Sequence, residues 1–150
     1  MNLCAKAEKS TGDARRLLFR WGVDKAEHGR IIARLVGDGF IDDRRYAGAF
    51  VRDKVNFGRW GVYKIRAALR NKQIAEEIIN EALTEVDSPG NKNMEEKLLR
   101  QLESKMRTVK YNSAYDLRGK LLRYGTGLGF DYENVAAAVD GVMKNIKENE

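Results

Sequence analysis

The chain has one proline, one cysteine and one histidine in 150 residues, and these shortages remove whole classes of explanation. Cys4 cannot form an internal disulfide, and with His28 as the sole histidine no Cys/His set supplies the ligands of a structural zinc site. There is no Ser-His pairing at a recognisable elbow and no Gly-Lys-Thr phosphate loop. The sequence therefore offers no catalytic, cofactor-binding or metal-binding residue and reads as a non-enzyme. No apolar run approaches the roughly 20 residues of a membrane-spanning helix. The Met-Asn-Leu-Cys start lacks the basic and apolar regions of a secretory signal, so a cytoplasmic protein in a reducing compartment is expected. With 43% hydrophobic and 33% charged residues, the composition is that of an ordered globular chain.

What is present is positive charge, and it is unevenly placed. The formal net charge is +6. Residues 1–86 carry 17 basic and 12 acidic side chains, whereas residues 87–150 carry 11 and 10. From Arg44 to Lys72 there are nine basic residues (Arg44, Arg45, Arg52, Lys54, Arg59, Lys64, Arg66, Arg70, Lys72) against Asp53 alone. Such a concentration points to an acidic partner, either protein or nucleic acid.

Apolar residues recur three and four apart, and the breaks fall at glycine or capping residues, which predicts an all-α chain. Helices are expected at about 12–21, 24–36, 43–57, 60–72, 75–86, 92–109, 113–124 and 131–146, with Asp24, Asp42 or Asp43, Ser113 and Asp131 as N-caps. The segment 85–93, with the only proline, is the predicted turn or hinge. Tyr46, Phe50, Phe57 and Phe130 read as core. The glycines of YGTGLGF, 124–130, follow a helix and no strand, so they read as a loop and not as a phosphate site.

The helix pairs repeat one another. With Val23, Ile74 and Phe130 as equivalent turn residues, Leu18 and Leu69 stand five places earlier. Arg15 and Arg66 then coincide, and Arg118 joins them if the third pair carries four extra residues between Leu121 and Phe130. Five, eight, nine and twelve places after each turn come His28, Ile31, Ile32, Leu35; then Ile79, Ala82, Leu83, Val86; then Val135, Ala138, Val139, Val142. Only His28 is out of character, and it reads as a helix-interior histidine. The expected fold is an elongated, curved array of tandem three-helix repeats with boundaries 1–58, 59–110 and 111–150, the last without a visible third helix.

The order CAKAEKSTGDARRLLFRWGV, IIARLVGDGFIDDRRYAGAFVRDK, RWGVYKIRAALRNKQI and LRGKLLRYGTGLGFDYENV resembles the RecX family of bacterial recombination regulators across nearly the whole chain. Its most specific element is Phe40-Ile41-Asp42-Asp43-Arg44-Arg45-Tyr46-Ala47, then Phe50-Val51-Arg52, Trp60-Gly61 and Lys64-Ile65-Arg66. The resemblance implies a helical-repeat protein that binds the RecA recombinase filament on DNA and inhibits its assembly and its recombination and coprotease activities. Homologous recombination, DNA repair and the SOS response are the implied setting, with weaker binding to single- and double-stranded DNA. Three departures stand out: His28 replaces an aliphatic residue, Gln73 stands where Lys-Gly-Ile is expected before Ile74, and the sequence before Cys4 is shorter than the usual leader. Gln73 in a left-handed helix-ending conformation would cost on the order of 1 kcal/mol relative to glycine.

On a helix from Trp60 to Lys72, Val62, Ile65, Ala68 and Leu69 share the inward face, while Tyr63, Arg66 and Arg70 form an outward basic and aromatic stripe. Arg45 and Arg52 repeat the spacing on helix 43–57, whose buried side is assigned to Tyr46, Phe50 and Phe57, and Arg59 lies in the connection. The expected filament- or DNA-binding residues are Arg45, Arg52, Arg59, Tyr63, Lys64, Arg66, Arg70 and Lys72, since guanidinium groups bind carboxylates and phosphates in pairs of hydrogen bonds. A solvated basic face is the competing reading for any single residue. For the tract as a whole, like charges would repel without a structural return, which favours binding. Arg15, Arg66 and Arg118 either bind or pair with an acid on the next helix. A helix-turn-helix DNA binder and a plain helical adaptor are the alternative functions. Circular dichroism should show an almost wholly helical protein and small-angle scattering an extended monomer; substantial strand or a compact globule would remove the repeat array.

Overall fold

The computed structural model describes residues 8–84, 86 and 92–149; Cys4 and most of the predicted hinge, 85 and 87–91, lie outside them. The described residues form eight α-helices: α1 Thr11–Arg20, α2 Lys25–Gly37, α3 Asp43–Asp53, α4 Val62–Asn71, α5 Glu76–Leu83, α6 Lys92–Thr108, α7 Ala114–Gly127 and α8 Tyr132–Asn149, with a π-turn after α3. The fold is all-α, as the periodicity requires. Helix starts follow the capping chemistry. Ser10 and Asp13 form a reciprocal capping box at α1, and Asp24, Asp42 and Ser113 accept backbone N–H groups at α2, α3 and α7.

The repeat is visible in the backbone. The first helix of each pair ends at a residue of positive φ, Gly22 (76°), Gln73 (64°) and Gly129 (97°). The next residue's N–H then bonds to the carbonyl five positions back: Val23 to Leu18, Ile74 to Leu69 and Phe130 to Gly125. This is the Schellman closure, in which the left-handed residue turns the chain back so that two orphan carbonyls are satisfied. Downstream the burial repeats as the spacing does. His28, Ile79 and Val135 are buried, as are Ile32, Leu83 and Val139. His28 is accommodated because its Nε2 lies 2.9 Å from the Val23 carbonyl, a hydrogen bond that satisfies the ring inside an apolar slot.

Two expectations are corrected. Helix α3 ends at Asp53 and continues as a π-turn, Lys54–Gly58, so the phase of the 3.6-residue pattern is lost there. Val55 is buried, and Phe57, assigned to the core, is 81% exposed. The stretch 124–127 is helix and not loop, because α7 runs to Gly127. The four extra residues of the third pair thus add about one helical turn and keep Leu121 and Gly125 on one face. Gly125 is needed there, since a Cβ would sit 2.6 Å from Val135 Cγ1.

The chain forms two compact units, Met1–Lys54 with Arg66–Thr84, and Val55–Ile65 with Glu85–Glu150. They do not coincide with the sequence repeats, because α4 gives its first turn to the second unit and the rest to the first. In the first unit Ala14, Leu18, Ile32 and Ile41 form a core with Val23, Ile31 and Leu35 against it. In the second, Leu98, Leu102, Leu117, Leu121, Val135, Val139 and Val142 pack with Phe130, Tyr124 and Met106. Each unit also contains a contact between the start of one helix and the C-terminal end of another, made by side chains in the first unit and by backbone groups in the second. In the first, Arg16 Nη2 donates to the Asn71 carbonyl at 2.6 Å and Lys72 Nζ reaches Asp13 at 2.8 Å. In the second, the N–H groups of Gly61 and Tyr63 donate to the Leu128 and Gly129 carbonyls at 2.7 and 2.9 Å.

These contacts leave no room for side chains. A Cβ on Gly12 would stand 2.4 Å from the Lys72 carbonyl oxygen, so Gly12→Ala should lower stability by about 1–3 kcal/mol in chemical denaturation. Gln73→Gly should do the reverse, raising stability by about 1 kcal/mol, because glycine holds a φ of 64° without strain. Equal stabilities of both variants and the parent would refute this account of the turn.

Candidate partner-binding surface

The basic tract falls on α3, the π-turn, the connection 59–61 and α4, and tertiary structure gives most of its cations partners that the local sequence lacks. In the first unit Arg44 pairs with Glu81. Arg45 bonds to Glu8 at 2.8 Å and to the Gly39 carbonyl at 3.2 Å. Arg70 grips Glu76 through Nε and Nη2 at 2.5 and 3.2 Å. Arg66 donates to Asn80 at 2.8 Å, lies 3.6 Å from Glu76, and has a side chain only 21% exposed. It is therefore folded onto α5, not directed outward with Arg70 as the helical spacing predicted. Lys72 pairs with Asp13, and Lys54 with Asp53 at 3.7 Å. Arg52 is exposed and makes no hydrogen bond or ion pair with the described residues.

In the second unit Lys64 lies over the Trp60 ring at 4.4 Å, a cation–π contact that holds the ammonium beside the chain. Phe57 and Tyr63 are exposed. Arg59 is exposed, without a hydrogen bond or ion pair to the described residues, and has a φ of 60°. A non-glycine residue held left-handed next to a π-turn is a place where backbone strain accompanies an exposed cation and aromatic.

The tract thus does receive a structural return: the acids Glu8, Asp13, Glu76 and Glu81 are brought to it from elsewhere in the chain. Arg70's hydrogen bond holds the Glu76 carboxyl below its ordinary value, and the same bond raises the Arg70 guanidinium. Burial pushes Asp13 upward, but its bonds from Lys72 and Ser10 outweigh burial and leave it lowered. Exposed pairs of this kind stabilise little, about 0–1 kcal/mol each, so their main effect is to neutralise and orient. The cations left without such partners, Arg52 and Arg59, were not distinguishable by sequence from their paired neighbours. Of the recurring arginines, Arg66 and Arg118 pair with the next helix, Arg118 with Asp140 at 3.1 Å. Among the described residues no cluster of His, Cys, Asp and Glu could hold a metal ion, and no helix is long and apolar enough to cross a membrane.

A family model for the second three-helix domain of RecX matches residues 42–83, which contain this tract. The regulatory protein RecX of Streptococcus pneumoniae strain JJA is 29% identical over 145 residues, 96% of this chain and 53% of that protein. The chain therefore spans about half the length of the curated relatives it matches. The crystal structure of RecX from Lactobacillus salivarius shares the fold with a TM-score of 0.78 at 21% identity, over 93% of this chain and 89% of that one. A second crystal structure, of regulatory protein RecX, gives a TM-score of 0.82 at 24% identity, over 93% and 67%. The class is thus an all-helical fold of tandem three-helix repeats. In sequence and in fold the chain is similar to the RecX family, whose second-domain model matches residues 42–83.

The Asp13–Lys72 pair predicts a pH signature. Because the folded Asp13 carboxyl ionises more readily than the unfolded one, its stabilisation is complete above the ordinary value of 3.8 and is lost as pH falls below that value through the lower folded one. Asp13→Asn should therefore melt below the parent at neutral pH, and the gap should close as pH falls from the ordinary carboxylate value through the lower folded one. A gap that persists undiminished in acid would assign the effect to something other than the charge.

Proposed function

We propose that the chain is a regulator that binds the RecA recombinase filament on DNA and inhibits its assembly, and with it recombination and coprotease activity. The observation that carries this reading is the match of residues 42–83 to the RecX second domain, over the segment where the chain concentrates its positive charge. The protein acts by occupancy and not by catalysis, as a monomer whose repeats run 1–58, 59–110 and 111–150. Arg45, Arg52, Arg59, Tyr63, Lys64, Arg66, Arg70 and Lys72 supply the binding residues. Their state favours a protein-bearing filament over naked DNA: duplex binding draws on many unneutralised cations, whereas here Arg45, Arg66, Arg70 and Lys72 already meet internal acids. The unpartnered Arg52 and Arg59 contribute most per residue because no internal ion pair is broken when they engage.

Inhibition of recombinase filaments should weaken as salt rises. Arg52→Glu and Arg59→Asn, tested separately, should each reduce it about tenfold with little change in melting temperature, whereas Lys144→Glu should leave it nearly intact. Arg66→Glu with Arg70→Glu places two more carboxylates against Glu76, so that variant should lose stability as well as inhibition. Parental inhibition by both single variants would overturn the site. Binding to naked duplex as tight as to filament would favour the helix-turn-helix DNA binder instead.

A further inference from the structure

We propose that the first helix pair, α1 and α2, carries a separate protein-docking site that takes a helical segment presenting a carboxylate one turn from an apolar residue. Arg15, Arg66 and Arg118 stand three places before Leu18, Leu69 and Leu121. In the second and third pairs the arginine is satisfied from the following helix. Arg66 meets Glu76 and Asn80, two and six places after the turn residue, and Arg118 meets Asp140, ten places after it. In the first pair those places hold Lys25, Gly29 and Ala33, one cation and two residues with no polar side chain. Arg15 is exposed and makes no hydrogen bond or ion pair with the described residues.

One helical turn beyond Arg15, on the same face, Phe19 is 80% exposed, and Trp21 at the helix end is 61% exposed. Arg20 and Lys25, both exposed, likewise make no hydrogen bond or ion pair with the described residues. Two large aromatics and an arginine in the open are the residue types that dominate protein interfaces. The second pair shows in cis what the first lacks: a carboxylate carried on the opening turn of a helix and gripped by an arginine. A carboxylate next to an apolar residue answers Arg15 beside the exposed Phe19 and Trp21, as Glu76 answers Arg66 in the second pair; Asp24 and Glu27 at the start of α2 do not compete for Arg15, since Asp24 caps the helix and Glu27 pairs with Arg30. The partner's apolar residue covers Phe19 and Trp21. This site does not depend on the recombinase reading above, and it lies outside the segment 42–83.

The test uses the full chain and two fluorescein-labelled synthetic helical peptides, one with Glu and Leu a turn apart along one face and one with Gln replacing each Glu. Fluorescence anisotropy should show the Glu peptide binding at least tenfold more tightly than the Gln peptide, with about tenfold loss in Arg15→Ala and in Phe19→Ala. Arg107→Ala, on α6, should bind as the parent does. Lys25→Glu installs the missing acid where Glu76 stands in the second pair, so it should close the site and also weaken peptide binding. The same substitution should raise the melting temperature more in the parent than in Arg15→Ala. The new carboxylate's favourable place in the first turn of α2 acts in both backgrounds, so the difference reports the pair. Failure of the Glu peptide to bind, equal binding of both peptides, or insensitivity to Arg15→Ala or Lys25→Glu would overturn the proposal. So would an oligo-dT probe that depends on Arg15 and Phe19 while the Glu peptide does not, since the face would then be a single-strand stacking platform.

Discussion

The architecture depends on the left-handed residue that closes the first helix of each pair. Gly22, Gln73 and Gly129 reverse the chain so that Val23, Ile74 and Phe130 return an N–H to the carbonyl five residues back. That closure fixes where the second helix begins, and so brings the fifth and ninth residues after the turn onto the inner face in every pair. It also exposes the C-terminal turn of the helix for contact. In the first unit the carbonyl of Asn71 receives Arg16, and in the second those of Leu128 and Gly129 receive backbone N–H groups. In the second unit the backbone contact satisfies orphan groups on both helix ends, whereas in the first a side chain of α1 satisfies the orphan carbonyl of α4.

Electrostatics is organised on this scaffold by acids distant in sequence. Glu76 follows Arg70 because the closure at Gln73 folds α5 back beside α4, and the same fold places Asn80 under Arg66. Glu81 reaches Arg44 across α3 and α5, and Asp13 reaches Lys72 through the end-to-end contact. The surface that remains is sparser in free charge than the chain suggests and more specific in chemistry: Arg52 on one unit, Arg59 with Phe57 and Tyr63 on the other. Exposed cations and exposed aromatics are residue types suited to holding a protein partner.

The legible part of the fold is the part set by local rules. Helix positions, the caps Asp24, Asp42 and Ser113 and the inward face Ile65 and Leu69 follow from side-chain spacing and capping chemistry, whereas the left-handed Gln73 was suggested by the family resemblance, in which glycine is expected at that place. The π-turn at Lys54–Gly58 was not legible, since nothing in KVNFG departs from an ordinary helical pattern, and it displaced Phe57 from the core to the surface. Glycines misled in the other direction at 124–127, where a helix persists because Gly125 is packed against Val135. At the candidate surface, residue identities were legible but their pairing was not.

The sequence by itself determined that the chain is helical, repeated, similar to the RecX family and most basic between Arg44 and Lys72, because each of these is read from the order of residues along the chain. Only the tertiary structure decided which of those cations are already answered. An ion pair needs two groups within about 4 Å, and Arg44, Arg45 and Lys72 find theirs 37, 37 and 59 residues away. Sequence distance says nothing of such meetings, so the same count of charge describes a neutralised arginine at position 66 and an open one at position 15.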